Sequence, residues 1–291
     1  MKIIAQIGIT DQEWEKLRPT IESSNIFPTK IFSGTPSHGT LGLVQFRLPV
    51  DDERYILLKK EMVEKGIRNN EKKEIRFDPQ EIEEAEYSIL FQKSMWGYPQ
   101  PEDDYQNESY DLSSGCQRCR QGLKQNKPFM LSGKPKFGRN DITALFWIYE
   151  SIITEKLKDL IENEGLTGAE FWPVLRYRKT GQRLPIPGIY QLYVRGELPP
   201  VSPKTQFEWV SDLPKEIQSC GCNIIGRNLP AAQLVYDRVS LRDAKDFNRT
   251  FEFIGGGPGS QQWKVVSNRV YRLFKKNAIR GADFRPIVIN D

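Results

Sequence analysis

The chain has 291 residues, 38% hydrophobic and 27% charged, with 22 Gly and 19 Pro. This excludes a collagen-like repeat, a disordered polyampholyte and a disulfide-dense miniprotein. Its 42 basic and 38 acidic residues leave a net charge of +4, too balanced to select a class of partner. No apolar run approaches the roughly 20 residues of a membrane-spanning helix, and the opening residues lack a signal-peptide pattern, so a cytoplasmic protein is expected.

Residues 1–95 read as a small α/β unit. An apolar strand over 2–9 is followed by a helix opening at Thr10 or Asp11, and a second strand runs through 41–48. A helix over 51–66 carries Tyr55, Leu58, Met62 and Val63 at i, i+3, i+7 and i+8, a spacing that predicts one buried face. Strands over 74–77 and 87–91 complete a βαβαβ order. Residues 96–114, rich in Trp, Gly, Pro, Asn and acids, then read as an exposed connection. Trp96, Tyr98 and Tyr105 lie in it, as anchors for a partner or as packing between domains.

The rest of the chain, residues 115–291, contains a duplication. Thr154 to Val174 aligns without a gap, at an offset of 113, with Ser267 to Ile287. Gly168, Ala169, Phe171 and Pro173 match Gly281, Ala282, Phe284 and Pro286. In each copy a Thr or Ser stands at the N-cap of a short helix. Ile153, Leu157, Leu160 and Ile161 match Val266, Val270, Leu273 and Phe274 as its apolar stripe. Gly165 and Asn277 mark the helix ends, and the Gly-Ala-acid-Phe-x-Pro phrase predicts a turn into a strand with the Phe buried. Upstream, 141–146 corresponds to 246–251, with eight extra residues in the second copy that include Gly255 to Gly259. Repeat one is placed at 115–175, a linker at 176–218 and repeat two at 219–291.

Each repeat carries one cysteine pair, Cys116 with Cys119 and Cys220 with Cys222. Four thiolates on two short knuckles suit one tetrahedral zinc ion, closed to substrate and structural in role. Two unrelated reduced pairs, or a redox-active Cys-x-x-Cys, are the alternatives. The expected fold class is α+β: a small N-terminal α/β unit, then two tandem α+β repeats joined by a four-cysteine zinc site.

The paired cysteine motifs and the twin capped helices ending in Gly-x-x-Phe-x-Pro resemble the bacterial double-CXXCG motif proteins and related two-repeat immunity-like proteins. The resemblance covers roughly residues 85–291. It implies a non-enzymatic binding protein that neutralises a cognate toxin by direct contact. The chain departs from that pattern at Arg120, where glycine should follow the first pair, and in the tighter Cys220-Gly-Cys222.

Other features carry blander readings. Gly255 to Gly259 lacks the Lys-Ser/Thr of a P-loop and reads as a loop. His38, the only histidine, sits in a loop composition without a nearby nucleophile. The acidic run 81–86 reads as a solvated helix face. The basic stretches 118–127 and 176–179, interleaved with aromatics, support the alternative function of a zinc-containing nucleic-acid-binding protein, with Arg118, Arg120 and Lys124 as contacts.

Overall fold

Strict alternation of apolar side chains in β1 (Lys2–Thr10) buries Ala5, Ile7 and Ile9 on one face, the pattern of a half-covered strand. The computed structural model describes residues 1–32, 43–67, 70–180, 182–209, 222, 227–228, 233–255 and 260–291. These fall into two units, the first ending at Asp78 and the second opening at Pro79.

In the first unit, β1 leads into α1 (Asp11–Ser23), whose N-cap Thr10 and Glu13 form a capping box. β2 (Lys30–Phe32), β3 (Leu43–Pro49), α2 (Glu53–Glu64) and β4 (Asn70–Arg76) follow. The sheet order β2-β3-β1-β4, with every neighbour antiparallel, is the ferredoxin-like split βαβ arrangement. Its core joins Leu17 and Ile21 of α1, Leu58 and Met62 of α2, and Val44 and Phe46 of β3. Val63, expected on the buried stripe, is 77% exposed: one residue beyond Met62, it is turned past the edge of the face.

The second unit is mixed α+β. It opens with α3 (Pro79–Glu84) and β5 (Tyr87–Gln92), so the strand expected at 87–91 belongs here and the first unit ends earlier than residue 95. The reason is hydrogen bonding: β5 pairs with two strands close to the C-terminus. Next come α4 (Tyr105–Ser109), β6 (Tyr110–Asp111), β7 (Lys124–Gln125), β8 (Met130–Leu131) and β9 (Ile142–Ala144). β10 (Ser151–Thr154), α5 (Glu155–Asn163), β11 (Ala169–Arg176), β12 (Pro185–Val194) and β13 (Gly196–Glu197) continue the chain. After β14 (Glu208–Trp209), β15 (Arg227–Asn228) and β16 (Val235–Asp237) come β17 (Phe247–Ile254) and β18 (Gln261–Ser267). α6 (Asn268–Lys276), β19 (Ala282–Pro286) and β20 (Val288–Asn290) finish it.

Two five-stranded sheets dominate, β8-β11-β12-β10-β9 and β13-β17-β18-β5-β19. Their central pairings run in step. Phe171 faces Leu192 and Phe284 faces Leu90; Ile153 faces Tyr190 and Val266 faces Ser88; Ile142 faces Ile153 and Phe247 faces Val266. β5 therefore occupies beside β18 the place that β12 occupies beside β10, although it precedes all the others in the chain.

One core lies between the sheets and beneath both helices. Leu157 and Ile161 of α5 and Val270, Leu273 and Phe274 of α6 pack there with Ile153, Leu192, Phe247 and Val266. Each fully buried side chain of this size contributes about 1.5–3 kcal/mol. Two glycine turns bring the sheets together. Gly168, at φ +88, lies so close to β17 that a Cβ would sit 2.2 Å from the Phe247 carbonyl oxygen. Gly281, at φ +98, meets the Ile142 carbonyl in the same way, at 2.3 Å. The carboxylates are exchanged as well: Asp246 Oδ2 accepts the Thr167 amide at 2.8 Å, and Asp141 Oδ2 accepts the Arg280 amide at 3.2 Å.

Local details depart from expectation in three places. Thr154 caps α5 through the Leu157 amide, but the Ser267 hydroxyl turns away from α6 and donates to Asp246 Oδ1 at 2.7 Å. Gly165 takes the left-handed conformation after α5, whereas after α6 that role falls to Ala278 rather than Asn277. Phe171 and Phe284 are half-buried against the shared core.

Candidate metal centre

The loop between the short antiparallel strands β6 and β7 carries Cys116 and Cys119. It is a tight loop closed by its own backbone: the Arg120 amide donates to the Cys116 carbonyl at 2.8 Å, and the Cys116 amide to the Gln121 carbonyl at 2.8 Å. Only glycine fits at Gly115, where a Cβ would lie 2.6 Å from the Gln121 oxygen. Arg120 adopts φ +60. The chain thus bends into the left-handed region directly after the cysteine pair, with the strain a side chain incurs there.

Cys222, 103 positions further along the chain than Cys119, meets this loop. The sulfurs of Cys116, Cys119 and Cys222 all lie within 4.8 Å of one another, and Cys119 Sγ is 3.5 Å from Cys222 Sγ. A tetrahedral zinc with Zn–S bonds of about 2.3 Å sets sulfurs about 3.8 Å apart, so the three thiols fit such an ion. At 3.5 Å Cys119 and Cys222 are not joined by a disulfide. All three are half-buried. Cys220, expected as the fourth ligand, lies outside the described residues, as do His38 and all but the first residue of Gly255 to Gly259. No further metal-ligating cluster occurs among the described residues.

The other residues singled out from sequence are not drawn to this centre. Trp96 and Tyr105 pack against the core on the outer face of the first large sheet, with Phe129, Leu131 and Ile152. Tyr98 stacks on Phe146 and meets Trp147 at a tilt of 52°. The three are half-buried, and the exposed aromatic surface nearby belongs instead to Trp147 and Phe251, 53% and 51% exposed. Arg118, Arg120 and Lys124 are exposed around the cysteine loop.

A cleft of about 710 Å³ opens beside the cysteines, bordered by Arg120, Gly122 and Cys222 on one side and by β12, β13 and β17 on the other. Its inner wall holds ionised groups that sequence reading did not single out. Glu150 Oε1 lies 3.4 Å from Arg249 Nη2, and Glu150 Oε2 lies 3.3 Å from Lys264 Nζ. Burial alone pushes the Glu150 carboxyl up, but Arg249 and Lys264 outweigh it and hold it below the ordinary range. Burial also pulls the Lys264 ammonium down, with Glu150 opposing. Arg249 donates from Nε to the Val194 carbonyl at 2.9 Å and lies 4.9 Å over the Tyr193 ring, which stacks on Trp172. The sequence offers no periodicity or motif for this cluster, because its members come from three separate strands or loops.

Compared with known proteins, the chain matches no family model and no curated protein. No helix among the described residues is long and apolar enough to cross a membrane.

Proposed function

We propose that this is a non-enzymatic, bacterial, cytoplasmic binding protein of the immunity type, which neutralises a toxin by direct contact. A structural zinc ion held by Cys116, Cys119, Cys220 and Cys222 would clamp its second unit. The observation that carries the reading is the meeting of Cys222 with a loop 103 positions earlier in the chain. A metal there closes a long loop and stabilises the folded state, and an all-sulfur ligand set leaves no position for a substrate. The matched register of the two large sheets supports a duplicated module, with β5 supplied to the second copy from ahead of the first. Trp147, in the loop after β9, and Phe251, within β17, are the sort of large exposed side chain that anchors protein contacts.

The test is capture of the product of the adjacent upstream gene by the tagged full chain, followed by a toxicity assay of that product with and without it. One-to-one capture with loss of toxicity is expected. Turnover of a peptide, nucleotide or nucleic acid by the purified chain alone overturns the reading.

A further inference from the structure

Cys119 and Cys222 are placed for a reaction that a purely structural metal site does not use. Their sulfurs lie 3.5 Å apart, about 1.5 Å further than in a disulfide bond, a gap that rotation about the two Cα–Cβ bonds can close. Cys222 borders the cleft of about 710 Å³, so a small solute reaches it from solvent, and both thiols are half-buried rather than sealed in the core. Cys119 sits in a loop that its own backbone closes, through the Arg120 amide on the Cys116 carbonyl and the Cys116 amide on the Gln121 carbonyl. It therefore keeps its place when no ion holds it. The two positions are 103 apart in the chain, and a cross-link over that span restricts the unfolded chain far more than one across Cys116 and Cys119.

We propose that the centre is a redox switch, in which a hydroperoxide exchanges the zinc ion for a disulfide between Cys119 and Cys222. The metal is then released while the link between these distant stretches of chain stays closed. The inference rests on the metal reading above and concerns the regulation of that site. The Cys222 thiolate, open to the cleft, attacks a peroxide oxygen; the O–O bond breaks, leaving a sulfenic acid on Cys222 and a hydroxide that takes up a proton as water. The Cys119 thiolate then attacks the Cys222 sulfur and displaces hydroxide, which leaves as a second water, and the S–S bond forms. Two electrons pass from the two sulfurs to the peroxide, and the zinc ion, short of two ligands, departs. In a reducing compartment both thiols stay reduced and hold metal, so the exchange occurs only under oxidant. A thiol reductant with zinc restores the first state.

The experiment treats the purified, reduced, zinc-loaded full chain with hydrogen peroxide in slight excess. Zinc release is followed with a chromophoric chelator, lost thiols are counted, and the cross-link is mapped by mass spectrometry of non-reduced peptides. Zinc release in step with the loss of about two thiols per ion is expected, with the cross-link at Cys119 and Cys222. The oxidised, metal-free chain should melt above the reduced, chelated one, and dithiothreitol with zinc should reverse the change. Cys116→Ser should still form the cross-link under peroxide, whereas Cys222→Ser should not. Zinc content before oxidation tests the metal reading by itself, and the mapped cross-link tests this inference. Zinc retained under peroxide, sulfurs oxidised past the disulfide, a cross-link between any other pair of cysteines, or an oxidised chain that melts no higher than the chelated one overturns the proposal.

Discussion

Substituting Gly168 by alanine tests whether the two large sheets are held at a fixed, close approach. At φ +88 the added methyl group incurs about 1–2 kcal/mol for a left-handed backbone. It would also lie 2.2 Å from the Phe247 oxygen and 2.7 Å from Lys245 Cβ. The first of these is main chain and cannot swing aside, so the turn must separate from β17. That separation strains the Phe247 amide bond to Thr167 at 2.9 Å and the Thr167 amide bond to Asp246 at 2.8 Å. At about 0.5–1.5 kcal/mol for the first and somewhat more for the charged acceptor, the total comes to about 3–5 kcal/mol. Gly165 supplies the control: at φ +63 it has nothing within 4 Å of an added Cβ, so Gly165→Ala should cost only the conformational part, about 1–2 kcal/mol. Urea unfolding of the two variants, with Gly281→Ala as a third that should behave like Gly168→Ala, measures the difference. Equal midpoints for Gly165→Ala and Gly168→Ala would refute the close approach.

Further outcomes follow from the same contacts. Glu150→Gln leaves Arg249 and Lys264 buried without their counter-charge and should destabilise by about 3–5 kcal/mol in denaturant unfolding, with part of the loss recovered when Lys264→Met is added. The carboxyls of Glu150 and Asp246 are both held below their ordinary values of 4.5 and 3.8, despite burial that pushes each upward, by Arg249 and Lys264 in one case and by Ser267, Thr167 and Arg269 in the other. Their contribution is therefore complete above the unfolded values and lost as pH falls through the lower folded ones. Stability measured from neutrality downward should stay level until about pH 5 and then drop; a rise on acidification would contradict the assignment. Arg120→Gly relieves about 1–2 kcal/mol of left-handed backbone cost at φ +60, against about 0.4–1 kcal/mol that glycine adds to the entropy of the unfolded state, so the metal-loaded chain should be stabilised by roughly 1 kcal/mol or less in thermal melts.

How far the sequence disclosed the structure depends on the range of the interaction. Helices α5 and α6 were legible because their apolar stripes and N-cap residues are local signals, and Gly165 marked a helix end for the same reason. The fate of β5 was not legible: Tyr87 to Gln92 is an ordinary apolar strand, and its pairing with strands near the C-terminus is a long-range choice that adjacency misassigns. Ser267 illustrates competition, since a hydroxyl suited to capping α6 is taken by the carboxylate of Asp246. The cysteines carried their chemistry in their spacing, and three of them do converge. The Glu150, Arg249 and Lys264 cluster had no such spacing, and only the folded sheets bring it together.

Metal content bears most directly on the central idea that sulfur from distant parts of the second unit is joined through an ion. Elemental analysis of the purified chain, paired with melting curves before and after chelation, should give about one zinc per chain and a marked fall in melting temperature on its removal. Serine at Cys116, Cys119, Cys220 or Cys222 should lower both together. A chain free of metal after zinc-supplemented, reducing purification, melting at the same temperature with and without chelator, would contradict it.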